Sequence, residues 1–187
     1  SKHKVLVKDL YCIETLARID TLCLDKTGTI TEGTMEFVKM VPYKHHTTQE
    51  ITKIMRAFCT AITDVNGTIN AIKNHYHDPL NWNVTQMIPF SSDSKYSAVG
   101  FANKGTYYLG APEILLGKQY QQIAKTIGKD LLEYRILLLA YTPDQISTKE
   151  IPQSLQIIGF LYIQDKIRPD AQKTLSYFKE QGVTIKV

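Results

Sequence analysis

Thr21-Leu22-Cys23-Leu24-Asp25-Lys26-Thr27-Gly28-Thr29-Ile30-Thr31 decides how the rest of the chain is read. Four residues with apolar bodies form a short run of the kind found in buried strands, and the run ends abruptly at a carboxylate. The residues after Asp25 are small, hydroxylated and turn-prone. A strand that ends in Asp and opens into a Gly-containing loop fits the carboxyl edge of a parallel sheet, where open α/β folds keep their sites. A carboxylate there can act as a nucleophile toward phosphorus and form an acyl phosphate. Gly28 lets backbone N–H groups approach phosphoryl oxygens, and Lys26 adds positive charge. The plain alternative is a turn residue, Asp25, with Thr27 as a local cap.

Outward from this point the pattern alternates. Leu10, Ile13 and Leu16, within Val5–Arg18, have near-helical spacing ahead of the Asp25 strand. Met35–Val41 reads as a strand closed by Pro42. Thr47 and Glu50 form a capping box, with Ile51, Ile54, Met55 and Phe58 following at helical spacing. A further helix is expected near Thr68. Val84–Phe90 and Lys95–Ala102 read as strands, and Asn103-Lys104-Gly105 turns the second into Thr106–Leu109 as a hairpin. Short helices are expected over Pro112–Leu116 and Tyr120–Leu131, then apolar strands over Tyr134–Tyr141 and Leu155–Ile163. Pro169 suits the first turn of a helix that Gly182 ends, and Val183–Val187 reads as a last strand.

The chain thus opens and closes in α/β style around a block rich in antiparallel hairpin signals. The expected fold class is α/β with an α+β insert, an antiparallel-sheet domain with helices placed inside an incomplete parallel α/β domain. The expected boundaries are residues 1–33, 34–164 and 165–187.

Composition sets outer limits. With 187 residues, 43% apolar and 21% charged, the chain can bury a core and is not of the disordered class. A net charge of +4, evenly spread, does not point to nucleic acid but suits a polyanionic ligand. Cys12, Cys23 and Cys59 lie apart without a CxxC pair and are read as reduced, buried small hydrophobes. No secretory leader opens the sequence, and its apolar runs fall short of the ~18 residues that span a bilayer. His45-His46 and His75-Tyr76-His77 are read as solvated surface histidines rather than metal ligands.

Asp25–Thr31 resembles the DKTGT[LI]T phosphorylation signature of P-type, E1–E2 cation-transporting ATPases, members of the haloacid-dehalogenase-like superfamily. Leu6-Val7-Lys8, Ile13–Leu16 and Asp165–Pro169 resemble the bacterial type-II cation pumps. The resemblance implies that ATP phosphorylates Asp25, with Lys26 and Thr27 beside it. It implies Mg²⁺ held by the Asp25 carboxylate and the Thr27 backbone carbonyl, the remaining ligand lying outside this sequence. Related phosphatases carry an acid/base Asp two positions after the nucleophile, and Thr27 there implies a longer-lived phosphoenzyme.

Within the insert, Pro89–Lys95 resembles the segment in which a Phe stacks on adenine and a Lys lines the pocket, which implies Phe90 and Lys95. Gly110-Ala111-Pro112-Glu113 matches the family's KGAPE motif with Leu109 in place of its Lys, a lost charge on the pocket wall. Arg135 matches an Arg near the nucleotide phosphates. Ile69 stands where relatives carry an adenine-contacting acid. Asp165 and Arg168 match the D-x-x-R-P hinge, which implies that both are nucleotide-binding residues that help position nucleotide and hinge during closure, and Asp165 is alternatively a cap for the following helix. The family continues past this point with its TGD and GDGxND motifs, so the chain is expected to be a piece of a multi-pass pump of the cell membrane, on the cytoplasmic side. Membrane and actuator domains in cis would complete it, and the membrane domain would hold the cation. The alternatives are a catalytically silent nucleotide-binding module and a soluble haloacid-dehalogenase-like phosphatase.

Overall fold

The structure, a computed structural model, describes residues 9–146 and 150–187. The resemblance drawn on Leu6-Val7-Lys8 lies outside them. The chain divides into two compact units, one of the residues up to Thr34 with Asp165–Val187, the other Met35–Gln164.

In the first unit, α1 (Leu10–Leu16) starts on Asp9, whose side chain accepts from the Tyr11 N–H. Strand β1 (Thr21–Cys23) pairs in parallel with β8 (Thr184–Lys186), Leu22 opposite Ile185. Helix α6 (Ala171–Glu180) precedes β8, and Gly182 leaves it at φ 77°, a left-handed conformation that costs glycine little. Pro169 lies ahead of the helix rather than in its first turn, because Asp170 is the N-cap residue. Asp165 lies inside a strand, so it does not cap α6.

The second unit is built on a sheet of six strands among the described residues. They are β2 (Thr31–Pro42), β3 (Val84–Ile88), β4 (Tyr96–Phe101), β5 (Gly105–Gly110), β6 (Arg135–Thr142) and β7 (Gln156–Ile167), in spatial order β2-β7-β6-β5-β4-β3. From β3 to β7 every pairing is antiparallel. Both faces are covered. Helices α2 (Thr48–Ala61) and α3 (Gly67–His75) pack on one face, against Val99, Phe101, Leu109, Leu139 and Leu161. The residues between these, Ala98, Tyr108, Leu138 and Phe160, face the cluster that includes α4 (Pro112–Leu116) and α5 (Tyr120–Ile127). This is the period-two alternation of a strand, and burial on both faces is why β4 to β7 read as near-continuous apolar runs. A register shift in β7 opposite Leu139 and Ala140 breaks the alternation. It sends Ile158 to the α2 side and Ile157 to the other.

The capping box at Thr47 and Glu50 forms as its residues dictate. The Glu50 N–H donates to Thr47 Oγ1 at 3.2 Å, and the Glu50 carboxylate takes back the Thr47 N–H. No helix of the described residues is long and apolar enough to cross a membrane.

Two surface readings are corrected. Only Cys59 is buried, and desolvation raises its thiol to about 12, whereas Cys12 and Cys23 are exposed. Cys23 sits in a two-stranded pair that has too few neighbours to cover it. Of the histidines, His46 is partly buried with Nδ1 3.2 Å from the Glu50 carboxylate, whereas His75 is on the surface as read and stacks on Phe37 with centroids 4.0 Å apart.

Candidate functional site

A single residue, Leu24, separates Asp25 from β1, and it continues the ladder by donating its N–H to Lys186 O at 2.8 Å. The carboxylate therefore stands at the carboxyl end of a parallel strand, and Asp25, Lys26 and Thr27 are all exposed. The next five residues, Lys26–Ile30, form an irregular turn. Thr27 is extended (φ −77°, ψ 122°), and Gly28 is left-handed at φ 78°. A side chain at Gly28 would meet nothing within 4 Å, so glycine is needed for its backbone freedom and not for space.

The turn is held from inside by Thr31, which is fully buried. Its hydroxyl accepts from the Gly28 N–H at 3.1 Å and donates to Lys26 O at 3.4 Å. The Thr31 N–H also donates to Lys26 O. From outside it meets Arg168, whose Nε donates to Thr29 O at 3.0 Å and whose Nη2 donates to Gly28 O at 3.2 Å. Glu32, just past the turn, is paired with Lys166 at 2.8 Å.

The second unit carries the other candidate residues. Phe90, just past β3, is 41% exposed, which is high for a large aromatic on a well-packed unit. Its main-chain N–H donates to Asp64 Oδ2 at 3.0 Å. Asp64 lies in the α2–α3 connection, and that connection is itself tied down by Lys73, whose ammonium donates to Ile62 O at 2.7 Å. After Phe90 the chain turns tightly. The Ser94 N–H donates to Ser91 Oγ at 3.0 Å and the Lys95 N–H to Ser91 O at 2.8 Å. Lys95 itself is left-handed, with φ 57°, and its side chain is exposed.

Gly110 and Ala111 are set against this turn. A Cβ on Gly110 would lie 2.4 Å from the Tyr96 Cβ and 2.6 Å from Lys95 O, and the Ala111 N–H donates to Lys95 O at 3.0 Å. The missing side chain at Gly110 is thus already used by the neighbouring strand. Leu109, where the sequence suggested a pocket wall short of one charge, is 2% exposed and packs in the cluster beneath α2 and α3. Ile69 is 4% exposed in the same cluster. Arg135, at the start of β6, donates from Nη1 to the Thr68 hydroxyl at 2.9 Å, in the first turn of α3.

The structure therefore gathers the sequence candidates into two sets. Asp25, Lys26, Thr27 and Arg168 share one unit, and so does Asp165 in β7. Phe90, Lys95, Gly110, Ala111 and Arg135 belong to the other. Asp64 and Thr68 are additions that sequence reading missed, as is the part Thr31 plays inside the turn. Surface depressions of about 520 Å³ at the β4–β5 turn and about 640 Å³ between α6 and β8 are lined by none of these residues.

Comparison with known proteins adds the family. Residues 19–187 match the haloacid dehalogenase-like hydrolases. The chain is 35% identical over 187 residues to the probable cation-transporting ATPase exp7 of Streptococcus pneumoniae, covering 98% of this chain and 24% of that protein. It is 34% identical over 189 residues to the calcium-transporting ATPase CtpE of Mycobacterium bovis, covering 100% of this chain and 24% of that protein. It thus spans about a quarter of the length of these curated relatives. Among solved structures, a zinc-transporting PIB-type ATPase in its E2.Pi state superposes with a TM-score of 0.66 at 16% identity, over 92% of this chain and 26% of that one. The catalytic domain of the CPx-ATPase CopB-B, described for its conformational changes upon nucleotide binding, gives 0.58 at 14% identity, over 96% of this chain and 57% of that one. At such identities the structural likeness speaks for the fold.

Proposed function

We propose, from the premise that this chain belongs to the haloacid dehalogenase-like hydrolases and has cation-transporting ATPases as relatives, that it is the catalytic piece of a membrane P-type ATPase phosphorylated on Asp25. The observation that carries this reading is the placement of Asp25, an exposed carboxylate at the end of a parallel strand, ahead of a turn pinned by Thr31. A carboxylate oxygen of Asp25 attacks the γ-phosphorus of ATP, the bond to the β–γ bridging oxygen breaks, and ADP leaves. Thr27 provides no acid or base two positions on, so the aspartyl phosphate is not driven on to rapid hydrolysis.

Mg²⁺ belongs to this chemistry, where it offsets phosphate charge and orients the transferring group. The residues fit it. Mg²⁺ is commonly held by one or two carboxylates together with waters and substrate phosphates, and the Asp25 carboxylate with the Thr27 carbonyl offers hard oxygen donors of that type. The described residues gather no group of three or more His, Cys, Asp or Glu for a metal. For the 187 residues by themselves the proposed reading is nucleotide binding without turnover, because the resemblance puts the remaining Mg²⁺ ligand outside this sequence.

The second unit binds ATP. Phe90 presents a half-exposed ring for stacking, and Lys95, at the end of the same turn, presents an exposed cation in a backbone conformation that a glycine would adopt at less cost. Gly110 and Ala111 act through Lys95, since both are packed against its backbone. Arg135 reaches the phosphates by exchanging its Thr68 partner for them, and Asp165 belongs to the hinge strand. The whole protein is a multi-pass pump of the cell membrane, with this piece on the cytoplasmic side. The transported cation is bound by a membrane domain in cis, and an actuator domain completes the pump.

The test is Asp25→Asn in the full-length ATPase. The expected result is complete loss of acid-stable phosphoenzyme from labelled ATP, with ATP affinity retained. Persistent labelling would refute the assignment, and Asp25-dependent phosphate release by the 187-residue chain alone would refute its silence.

A further inference from the structure

Arg168 constrains the Asp25 turn as much as Thr31 does, each with three hydrogen bonds, and its contacts differ from those expected of a nucleotide ligand. Its main-chain N–H donates to Ile30 O at 3.0 Å. That bond brings its side chain to the turn, where Nε and Nη2 take Thr29 O and Gly28 O. Three consecutive carbonyls are thus held by one residue. Two of them meet adjacent arms of a rigid planar fork, an arrangement that a flexible lysine ammonium cannot reproduce.

The consequence lies on the far side of the peptide planes. In a planar trans peptide the C=O and the following N–H point in opposite directions. Turning the Gly28 and Thr29 carbonyls toward the guanidinium therefore turns the Thr29 and Ile30 N–H groups away from it. Those amides lie two and three residues past Thr27, in a segment of irregular dihedrals. With Thr31 pinning the inside, Arg168 sets the orientation of the outer peptide planes.

We propose that Arg168 is a positioning residue for phosphoryl transfer, which aligns the Gly28–Ile30 peptide groups beside Asp25 and does not bind nucleotide. The proposal rests on the reading of Asp25 as the phosphoryl acceptor. It separates two routes to the phosphoenzyme. Transfer from ATP needs the nucleotide, whereas formation from inorganic phosphate, by reversal of aspartyl-phosphate hydrolysis, needs only the Asp25 turn.

The experiment uses full-length protein carrying Arg168→Ala or Arg168→Lys, with both routes followed by acid-stable labelling, and the ATP dissociation constant of each variant. Arg168→Ala is expected to slow both routes by roughly tenfold to a hundredfold, the usual penalty for small misplacement of a reacting group. ATP affinity should stay within about twofold, and Arg168→Lys should recover only part of the rate. A tenfold weaker ATP affinity with the phosphate route intact would make Arg168 a nucleotide ligand and overturn the proposal. Hydrogen exchange on the 187-residue chain decides the matter independently of phosphorylation. The hydrogen-bonded Gly28 and Thr31 amides of the turn should exchange about tenfold faster in Arg168→Ala while the amides of α2 do not change, and unchanged exchange at Gly28 and Thr31 would overturn the brace. If the parent protein forms no phosphoenzyme, the Asp25 reading falls, and the exchange result still reports on Arg168.

Discussion

Replacing Phe90 by alanine separates the cost of folding from the cost of binding. The ring is 41% exposed, so truncation removes only part of the contacts that a core phenylalanine makes. Full burial would put the cost at roughly 3–5 kcal/mol, and about half of that, near 2 kcal/mol, is expected here. A chain of 187 residues should then melt about 4–8 °C lower and remain folded at room temperature. Stacking of a base on an aromatic ring is worth about 1–3 kcal/mol by alanine substitution. That corresponds to a roughly 5- to 150-fold rise in the ATP dissociation constant. Calorimetric titration of the parent chain and of Phe90→Ala with ATP measures it. Asp64→Ala serves as the companion, because it frees the Phe90 N–H and leaves the ring in place. It should weaken ATP less than Phe90→Ala does. Equal ATP affinity in the parent and in folded Phe90→Ala would refute the stacking argument. Failure of the parent to bind millimolar ATP would leave the Asp25 turn as the sole support for a nucleotide reaction.

Gly110→Ala should destabilise by about 1–3 kcal/mol in urea melts, because its Cβ would fall 2.4 Å from the Tyr96 Cβ on a paired strand. A neutral result would show that β4 and β5 separate more easily than the register suggests. In a thiol titration at pH 8, Cys12 and Cys23 should react at once, while buried Cys59, pushed up to about 12, waits for unfolding. Desolvation, then the charge of His77, lowers the His75 pKa below 6.5. The folded state thus binds fewer protons there than the unfolded one, so His75 stabilises least at low pH. Its contribution should be lost as pH falls from above 6.5 through the lowered folded value, and His75→Gln should flatten that part of the urea-midpoint profile.

The fold was legible wherever its causes are local. The Thr47–Glu50 capping box, the Asn103–Gly105 turn with Asn103 at φ 59° and Gly105 at φ 70°, and the apolar runs of β6 and β7 each lie within one element or one turn. The site was legible only in part, since its organising contacts join residues far apart in sequence. Phe90 and Asp64 are 26 residues apart, Arg135 and Thr68 are 67 apart, and Arg168 and Thr29 are 139 apart. Nothing in the spacing of Asp64 marks it out, and only the packing of the α2–α3 connection brings it to Phe90. Cys23 was misread for a related reason. An apolar strand implies a covered strand only when further elements exist to cover it.

Leu109 shows how a departure from a family pattern becomes clear once its surroundings are known. Read along the sequence, it is a charge lost from a binding site. In the folded unit it shares the α2 side of β5 with Tyr107, and Ile69 packs in the same cluster from α3. Both positions where the resemblance leads one to expect a charged residue are therefore occupied here by aliphatic side chains of one core. A lysine at 109 alone would be buried among the apolar side chains of that cluster, and the ammonium would have to shed its proton, find a carboxylate or displace the helices. The two substitutions are consistent only as a pair. Charged side chains of the same unit sit at or between the ends of elements instead, Asp64 accepting from the Phe90 N–H and Arg135 donating to the Thr68 hydroxyl.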